Sequence, residues 1–326
     1  MKRPLFLLII MTILALSACK AGSTPTTNAQ LREITINLTY IPNVQFAPFY
    51  VAIEKGYFAE EGLQVKLNYG NEADMIALVG SGKEQFMIAS GEQVLMARAQ
   101  GLPVVSVYPW YKKFPVGVVS LKEQNIQTPQ DLKGKVIGLP GLYGANYIGF
   151  EALANYAGLS DADYTLSSIG FTQVEALVSQ TVDAAVIYLP NEPSQLRALG
   201  YEINVIAVSD YLDLVGNVLV TNEETIANDP DLVRSVVKAF YRGVKAAAEN
   251  PEEAYAICAK YVENLTEADQ AVQQAVLAES IKLWETDPLP GSQQESWENM
   301  QQVLLQLGLM SQPVDVQGAY HDAFLP

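Results

Sequence analysis

The sequence predicts a two-lobed α/β protein with mostly parallel sheets and a helical C-terminal portion, and three observations carry that prediction. Strand-like and helix-like segments alternate from Ile34 onward, the pattern of parallel sheets covered by helices. The alternation runs to the strand Phe86 to Ala89, and the same grammar resumes at Val136. A chain of 326 residues with 49% hydrophobic and 17% charged residues has apolar surface for two substantial cores rather than one.

Each element has a local reason. Lys2 and Arg3 precede the apolar run Leu5 to Leu16, and Leu16-Ser17-Ala18-Cys19 closes it with small residues, the layout of a secretory signal. The run is too short to span a bilayer comfortably, and Lys20 and a polar stretch follow at once. Residues 1–18 are therefore expected to be a signal segment and 19–31 a flexible tether. The cleavage region resembles a bacterial lipobox, which implies that Cys19 becomes the lipidated first residue of the mature chain.

Ile34 to Thr39 predicts a strand, Pro48 to Glu61 a helix stopped by Gly62, Leu63 to Asn68 a strand, Asp74 to Ser81 a helix and Phe86 to Ala89 a strand. Where the grammar resumes, Val136 to Leu139 predicts a strand, Ala145 to Ala157 a helix ended by Gly158, Tyr164 to Ile169 a strand, Thr172 to Ser179 a helix and Ala184 to Tyr188 a strand. Asp231 to Glu249 carries Leu232, Val233, Val236, Val237, Phe240, Tyr241 and Val244 at helical spacing, and Pro251 ends it. Thr266 with Asp269 suggests a capped start to a further helix through Trp284. Residues 32–118 and 218–326 are expected to form one lobe and 119–217 the other, joined near Val116 to Ser120 and Leu214 to Leu219.

The halves echo one another. Ala77 to Ala89 aligns with Ala176 to Tyr188, each running from a helix through a polar turn into an apolar strand and then to a glutamate, Glu92 or Glu192. Two such lobes facing each other would bring both strand-end loops into one cleft, since open parallel sheets bind ligands beyond the carboxyl ends of their strands.

Composition removes whole classes of chemistry. The formal net charge is −16, and loss of Lys2 and Arg3 makes it two units more negative. Such a surface repels phosphate backbones, which excludes nucleic acid as a partner. With Cys19 lipidated, Cys258 has no partner for a disulfide and reads as a small buried residue of a helix. The single histidine, His321, near the C-terminus, has neither a triad nor a zinc site around it, so no catalytic or metal-ligating residue is assigned.

The strongest local signal is Tyr40-Ile-Pro-Asn-Val-Gln-Phe-Ala-Pro-Phe-Tyr-Val-Ala-Ile-Glu-Lys-Gly-Tyr-Phe58, placed between the first strand and its helix, where a parallel sheet presents a binding loop. This stretch resembles the NMT1/THI5-like substrate-binding proteins of ABC importers, with an aromatic-x-Pro-Asn loop followed by Tyr-Val-Ala and Gly-Tyr-Phe. Gly101-Leu-Pro-Val104, Asp131-Leu-Lys-Gly-Lys135, Pro140-Gly-Leu-Tyr-Gly144 and Val182-Asp-Ala-Ala185 extend the resemblance over nearly the whole mature chain. It implies a periplasmic-binding-protein type II fold, an ABC-type membrane permease as partner, a monomer held to the outer face of the cell membrane by lipid, and no cofactor. In the 40s, the 140s and Gly170-Phe-Thr-Gln173 the chain is most similar to riboflavin-binding members. Members that bind formyl-aminopyrimidine usually have Trp and His where this chain has Tyr40 and Phe46.

A flat heteroaromatic ligand needs rings on its faces and a few directed hydrogen bonds at its edges. Tyr40, Phe46, Trp110, Tyr111, Tyr143, Tyr147 and Tyr188 fall in or beside the expected strand-end loops, although with 17 tyrosines some will simply pack. Gly141-Leu-Tyr-Gly144 opens a helix and could offer bare N–H groups, or be a plain turn. Asn43 belongs to the first loop. Asn191 and Glu192 follow a strand, and the resemblance implies an acidic ligand contact at Glu192. Ser90 and Glu92 are the equivalents in the first lobe, and Asn217 could add an amide contact.

Two rivals remain. Some relatives in the wider family are pyrimidine synthases that consume pyridoxal phosphate and a histidine of their own chain; that chemistry needs a cleft lysine beside a histidine, which the loops here lack. An anion binder for an alkylsulfonate would want arginines at the cleft, where Arg98 and Arg197 are the nearest candidates.

Overall fold

Ile34, Ile36 and Leu38 are buried, two residues apart, on β1 (Arg32–Thr39), the period-2 pattern that makes a strand. The computed structural model describes residues 31–265, 269–284, 289 and 291–326; the signal segment, Cys19 and Thr266 lie outside the described residues. A turn capped by the Asn43 side chain leads to α1 (Ala47–Glu54) and α2 (Tyr57–Glu60). The single helix expected over 48–61 is thus divided in two, because Gly56 takes the left-handed φ of 75° that no helix interior tolerates. β2 (Leu63–Gly70), α3 (Glu72–Gly80), β3 (Phe86–Ser90), α4 (Gly91–Ala99) and β4 (Val104–Pro109) complete this run. Asn71 accepts hydrogen bonds from the N–H groups of Ala73 and Asp74, so α3 begins at Glu72, two residues earlier than its apolar pattern indicates.

The second run is β5 (Val116–Leu121), β6 (Val136–Leu139), α5 (Gly144–Tyr156), β7 (Thr165–Ser168), α6 (Gln173–Val178), β8 (Ala184–Tyr188), α7 (Glu192–Ala198) and β9 (Ile203–Ala207). The chain then returns through β10 (Asn217–Asn222) to α8 (Glu223–Asn228), α9 (Pro230–Glu249), α10 (Pro251–Cys258), α11 (Gln270–Leu283) and α12 (Gln294–Gln306). Asp269 caps α11, its carboxylate accepting from the N–H groups of Ala271 and Val272.

The described residues form two five-stranded sheets, ordered β2-β1-β3-β10-β4 and β7-β6-β8-β5-β9. In each, four strands share one direction and one opposes them: β10 lies antiparallel between β3 and β4, and β5 antiparallel between β8 and β9. Those two are the strands that arrive from the other lobe. The sequence reads them as connections because a crossing segment and a central strand carry the same apolar residues. All of β5, including Val116 to Val118, pairs in the second sheet.

The core is not divided cleanly between lobes. One apolar cluster lies on the outer face of the first sheet, where α1 packs on α9 closely enough that a Cβ on Gly243 would meet the Pro48 carbonyl oxygen at 2.2 Å. A second, smaller cluster lines one face of the second sheet. The third runs from Met75, Val94 and Val104 of the first lobe through Phe114 to Ile137 and Phe150 of the second, and takes in Trp297 and Met300 of α12. Gly149 on α5 makes room for Phe114: a Cβ there would lie 2.6 Å from its ring. The junction between lobes is therefore itself buried apolar surface.

Candidate ligand-binding cleft

The carboxyl ends of the first sheet's parallel strands supply Tyr40 after β1, Glu72 after β2, Ser90 at the end of β3 and Trp110 after β4. Tyr40 has φ 77°, a left-handed conformation that costs a bulky residue on the order of 1–3 kcal/mol and marks a position under external constraint. Its N–H donates to the Gly70 carbonyl at 3.1 Å, and its ring meets the edge of Phe171 from the second lobe at 5.0 Å between centroids. Burial and then the charge of Glu192 in the second lobe raise its phenolic pKa.

Behind this rim the first lobe is packed with rings. Trp110 is buried among Phe46, Phe49, Tyr111, Phe240 and Trp284, with centroids 4.8 to 6.2 Å away. Asn43 holds the loop by accepting from the Gln45 N–H at 3.0 Å. These residues shape the floor rather than the mouth.

The polar centre is a chain of three side chains. The backbone N–H and the hydroxyl of Ser90 both reach Glu72 Oε1, at 2.6 and 2.8 Å, and the same hydroxyl lies 2.5 Å from Glu92 Oε1. A hydroxyl carries one proton. If it is given to Glu72, the contact with Glu92 is a hydrogen bond only if Glu92 donates, so the trio holds a proton on Glu92. Burial raises both carboxyls, and the charge of Glu72 helps push Glu92 up to about 8. Glu92 Oε2 is buried without a partner.

The second lobe closes on this centre through Tyr188, at the end of β8. Burial, then Glu72 and Glu92, then Tyr111 push its phenol far above the ordinary tyrosine value, and the neighbouring Asn217 amide partly offsets that rise. Asn217 sits directly opposite Ser90 in the β3–β10 ladder, and its Oδ1 is buried and unpartnered. Tyr111 is tied in by its N–H, which donates to the Asn217 carbonyl at 2.9 Å. Glu192, at the first turn of α7, accepts from the Tyr188 N–H and the Asn191 amide, both at 3.1 Å, and burial pushes it up to about 7. Gly141, Tyr143 and Gly144 form a separate turn at the head of α5: Gly144 has φ 69°, and the exposed Tyr143 ring lies over Gly141, where a Cβ would come within 2.3 Å.

Tyr40, Ser90, Glu92, Tyr111, Tyr188, Asn191, Glu192 and Asn217 thus converge from both sheets, while Asn43, Phe46 and Trp110 stand behind them. Glu72 and Phe171 join the site without being singled out by the sequence. An acid directly after the helix-capping Asn71 at a strand end is the signal that could have found Glu72; Phe171 lies in the Gly170-to-Gln173 stretch already noted for its resemblance. Arg98 pairs with Glu223 at 2.9 Å at the far end of α4, and Arg197 is exposed in the last turn of α7. His321 caps a C-terminal turn, accepting from the Ala323 N–H, and Cys258 is fully buried with its thiol pushed up to about 12.

The family model described as NMT1/THI5 like matches residues 43–254, well over half the sequence. The chain belongs to the NMT1/THI5-like family. It is 36% identical to the riboflavin-binding protein RibY of Chloroflexus aurantiacus, across 100% of this chain and 99% of that protein. It is 30% identical to the formylaminopyrimidine-binding protein of Halalkalibacterium halodurans, across 96% of each. Among solved structures, the periplasmic aliphatic sulphonate binding protein SsuA of Escherichia coli matches with a TM-score of 0.72, covering 88% of this chain and 91% of that one. At 15% identity that likeness is one of fold, and the two-lobed periplasmic-binding-protein fold expected from the sequence is the fold observed.

Proposed function

We propose that this protein captures riboflavin between its lobes and hands it to the permease of an ABC importer, doing no bond-making chemistry and working as a monomer on the outer face of the cell membrane with Cys19 as its lipid anchor. The observation that carries the ligand is the full-length similarity to a riboflavin-binding protein, set on a cleft whose chemistry suits that molecule. Tyr40, Phe171, Tyr188 and Tyr111 offer rings from both lobes to a flat heteroaromatic system. Glu192, Glu92 Oε2 and Asn217 Oδ1 offer acceptors to the ring N–H and the sugar-chain hydroxyls that riboflavin carries.

The rivals fit less well. A sulfonate needs cations, and Arg98 and Arg197 are placed elsewhere. A histidine-consuming synthase needs an imidazole in the cleft, and His321 caps a C-terminal turn. The test is a titration of riboflavin fluorescence by the purified protein, with formylaminopyrimidine and an alkylsulfonate as competitors. Saturable quenching that neither competitor reverses is the expected result. Absence of quenching together with tight pyrimidine binding would overturn the reading.

A further inference from the structure

We propose that Glu72, Ser90, Glu92 and Asn217 form a subsite for an uncharged hydrogen-bond donor of the ligand, a hydroxyl or a ring N–H, in which Glu92 is a neutral carboxylic acid and anionic groups such as phosphate or sulfonate are refused. The inference rests on the cleft being the ligand site; it adds which part of the ligand this corner takes and in what charge state.

The first argument is the proton count. Glu72 Oε1 accepts the Ser90 N–H, a bond that favours its charged form, and the single Ser90 hydroxyl proton cannot serve both carboxyls, so the shared proton belongs on Glu92, 2.5 Å from that hydroxyl. Two ionised carboxylates on one hydroxyl would leave an unpaired buried charge, which is far more costly than a shared proton. The second argument is what remains free. Glu92 and Asn217 are 0% and 9% exposed, and each keeps a buried oxygen without a partner. Asn217 lies directly opposite Ser90 in the β3–β10 ladder, so its free oxygen belongs to the same corner as the two carboxyls. Two free buried acceptors in one corner call for a donor.

The third argument is charge. The titratable groups facing Glu92 are Glu72 from α3 and, across the cleft, Tyr188 from β8, both acids. Helix α12 meets α4 within an apolar cluster that includes Trp297 and Met300, and Arg98 on α4 itself is bonded to Glu223 and the Val104 carbonyl six residues away from Glu92. An anion entering here would meet a carboxylate and two acceptors. A neutral donor completes the set.

Because the ligand selects the protonated form of Glu92, binding is linked to one proton. Affinity should fall about tenfold per pH unit above about 8, where Glu92 ionises, a break separate from any step near 7 that Glu192 contributes and that Glu92→Gln leaves in place. The experiment has two arms on the full chain. Without ligand, infrared spectra of the wild type and Glu92→Gln at neutral pH should differ by the carbonyl band of a protonated carboxyl, present only in the wild type. With ligand, affinities for riboflavin and riboflavin 5′-phosphate are compared from about pH 6 to about pH 9. Riboflavin should bind the wild type with the pH break, Glu92→Gln without it, and Glu72→Gln with the break moved to lower pH, because the like charge is gone. The phosphate should bind about a hundredfold more weakly, an anion facing buried acceptors. Lack of the infrared band or an unchanged break in folded Glu92→Gln would each overturn the proposal, and equal affinity for the phosphate would overturn the assignment of a chain hydroxyl to this corner, leaving the ring N–H. If riboflavin fails at every pH, the functional reading falls, while the infrared arm and the same pH series with formylaminopyrimidine still decide the subsite.

Discussion

Glu92 and Glu192 occupy the same place in the two lobes, on the first turn of the helix that follows an apolar strand, and they do different chemistry there. Glu192 is buried beside donors: the Tyr188 N–H and the Asn191 amide stabilise its charge and limit the rise in its pKa to about 7. Glu92 is buried beside an acid, and the like charge of Glu72 adds to the burial that carries it to about 8. A repeated loop has thus given one wall a carboxylate site that accepts and the other a shared proton. Burial alone is common to both, so the difference lies in the neighbours.

The largest expected effect tests that difference through stability. Both carboxyls keep their protons to higher pH in the folded chain than in the unfolded one, where a glutamate titrates near about 4.3. Between that value and their folded values the native state binds more protons, so stability falls as pH rises through the window, by on the order of a few kcal/mol in total. Thermal midpoints of the ligand-free protein from about pH 4.5 to about pH 8 should therefore decline. Glu192→Gln should remove the decline up to about 7, and Glu92→Gln the part that extends to about 8. Equal flattening by the two variants would mean that Glu72 has no special hold on Glu92.

The next effect tests how firmly the first wall is built. Gly91 opens α4, its N–H donates to the Gly216 carbonyl at 3.1 Å, and a Cβ there would lie 1.9 Å from Val215 Cγ1 on the returning crossing. Gly91→Ala should cost about 1–3 kcal/mol by overpacking and displace Glu92 from Ser90. The equivalent position before Glu192 is Asn191, a residue with a side chain, so that wall has no such close approach. Calorimetry of Gly91→Ala beside Asn191→Ala should show the larger loss in the former.

These two sites also mark what the sequence discloses. Alternating apolar segments and stop glycines placed β6 and β8 to the residue and most of the other elements read from the sequence to within two, because local periodicity and burial agree there. The parallel grammar, the cleft at the strand ends and the two glutamates were legible for the same reason. The antiparallel β5 and β10 were not, since their pairing is decided by strands about 70 and 130 residues away rather than by neighbours. Glu72 was missed because a single capping asparagine moved the start of α3, and the proton shared through Ser90 depends on three segments meeting. Trp110 shows the reverse: its position at a strand end suggested a ligand ring, and the rings that enclose it arrive from α1, α9 and α11 or its edge.

The smallest effect concerns the rim, where half-buried Tyr40 of one lobe meets the exposed ring of Phe171 from the other. Phe171 is 64% exposed, so its removal should scarcely change the thermal midpoint, but it meets Tyr40 edge to face across the cleft. Such a pair contributes about 0.5–1 kcal/mol, which corresponds to a roughly two- to fivefold faster release of ligand if the contact exists only when the lobes are closed. Phe171→Ala should therefore raise the dissociation rate by that factor in stopped-flow measurements. Tyr40→Gly removes the same contact and also relieves the left-handed strain at φ 77°, so it should release ligand faster while holding or raising the midpoint. A Tyr40→Gly variant that melts lower than the wild type would show that the ring supports the first lobe itself, and that the strained backbone at the end of β1 is held there for stability rather than to aim a side chain across the cleft.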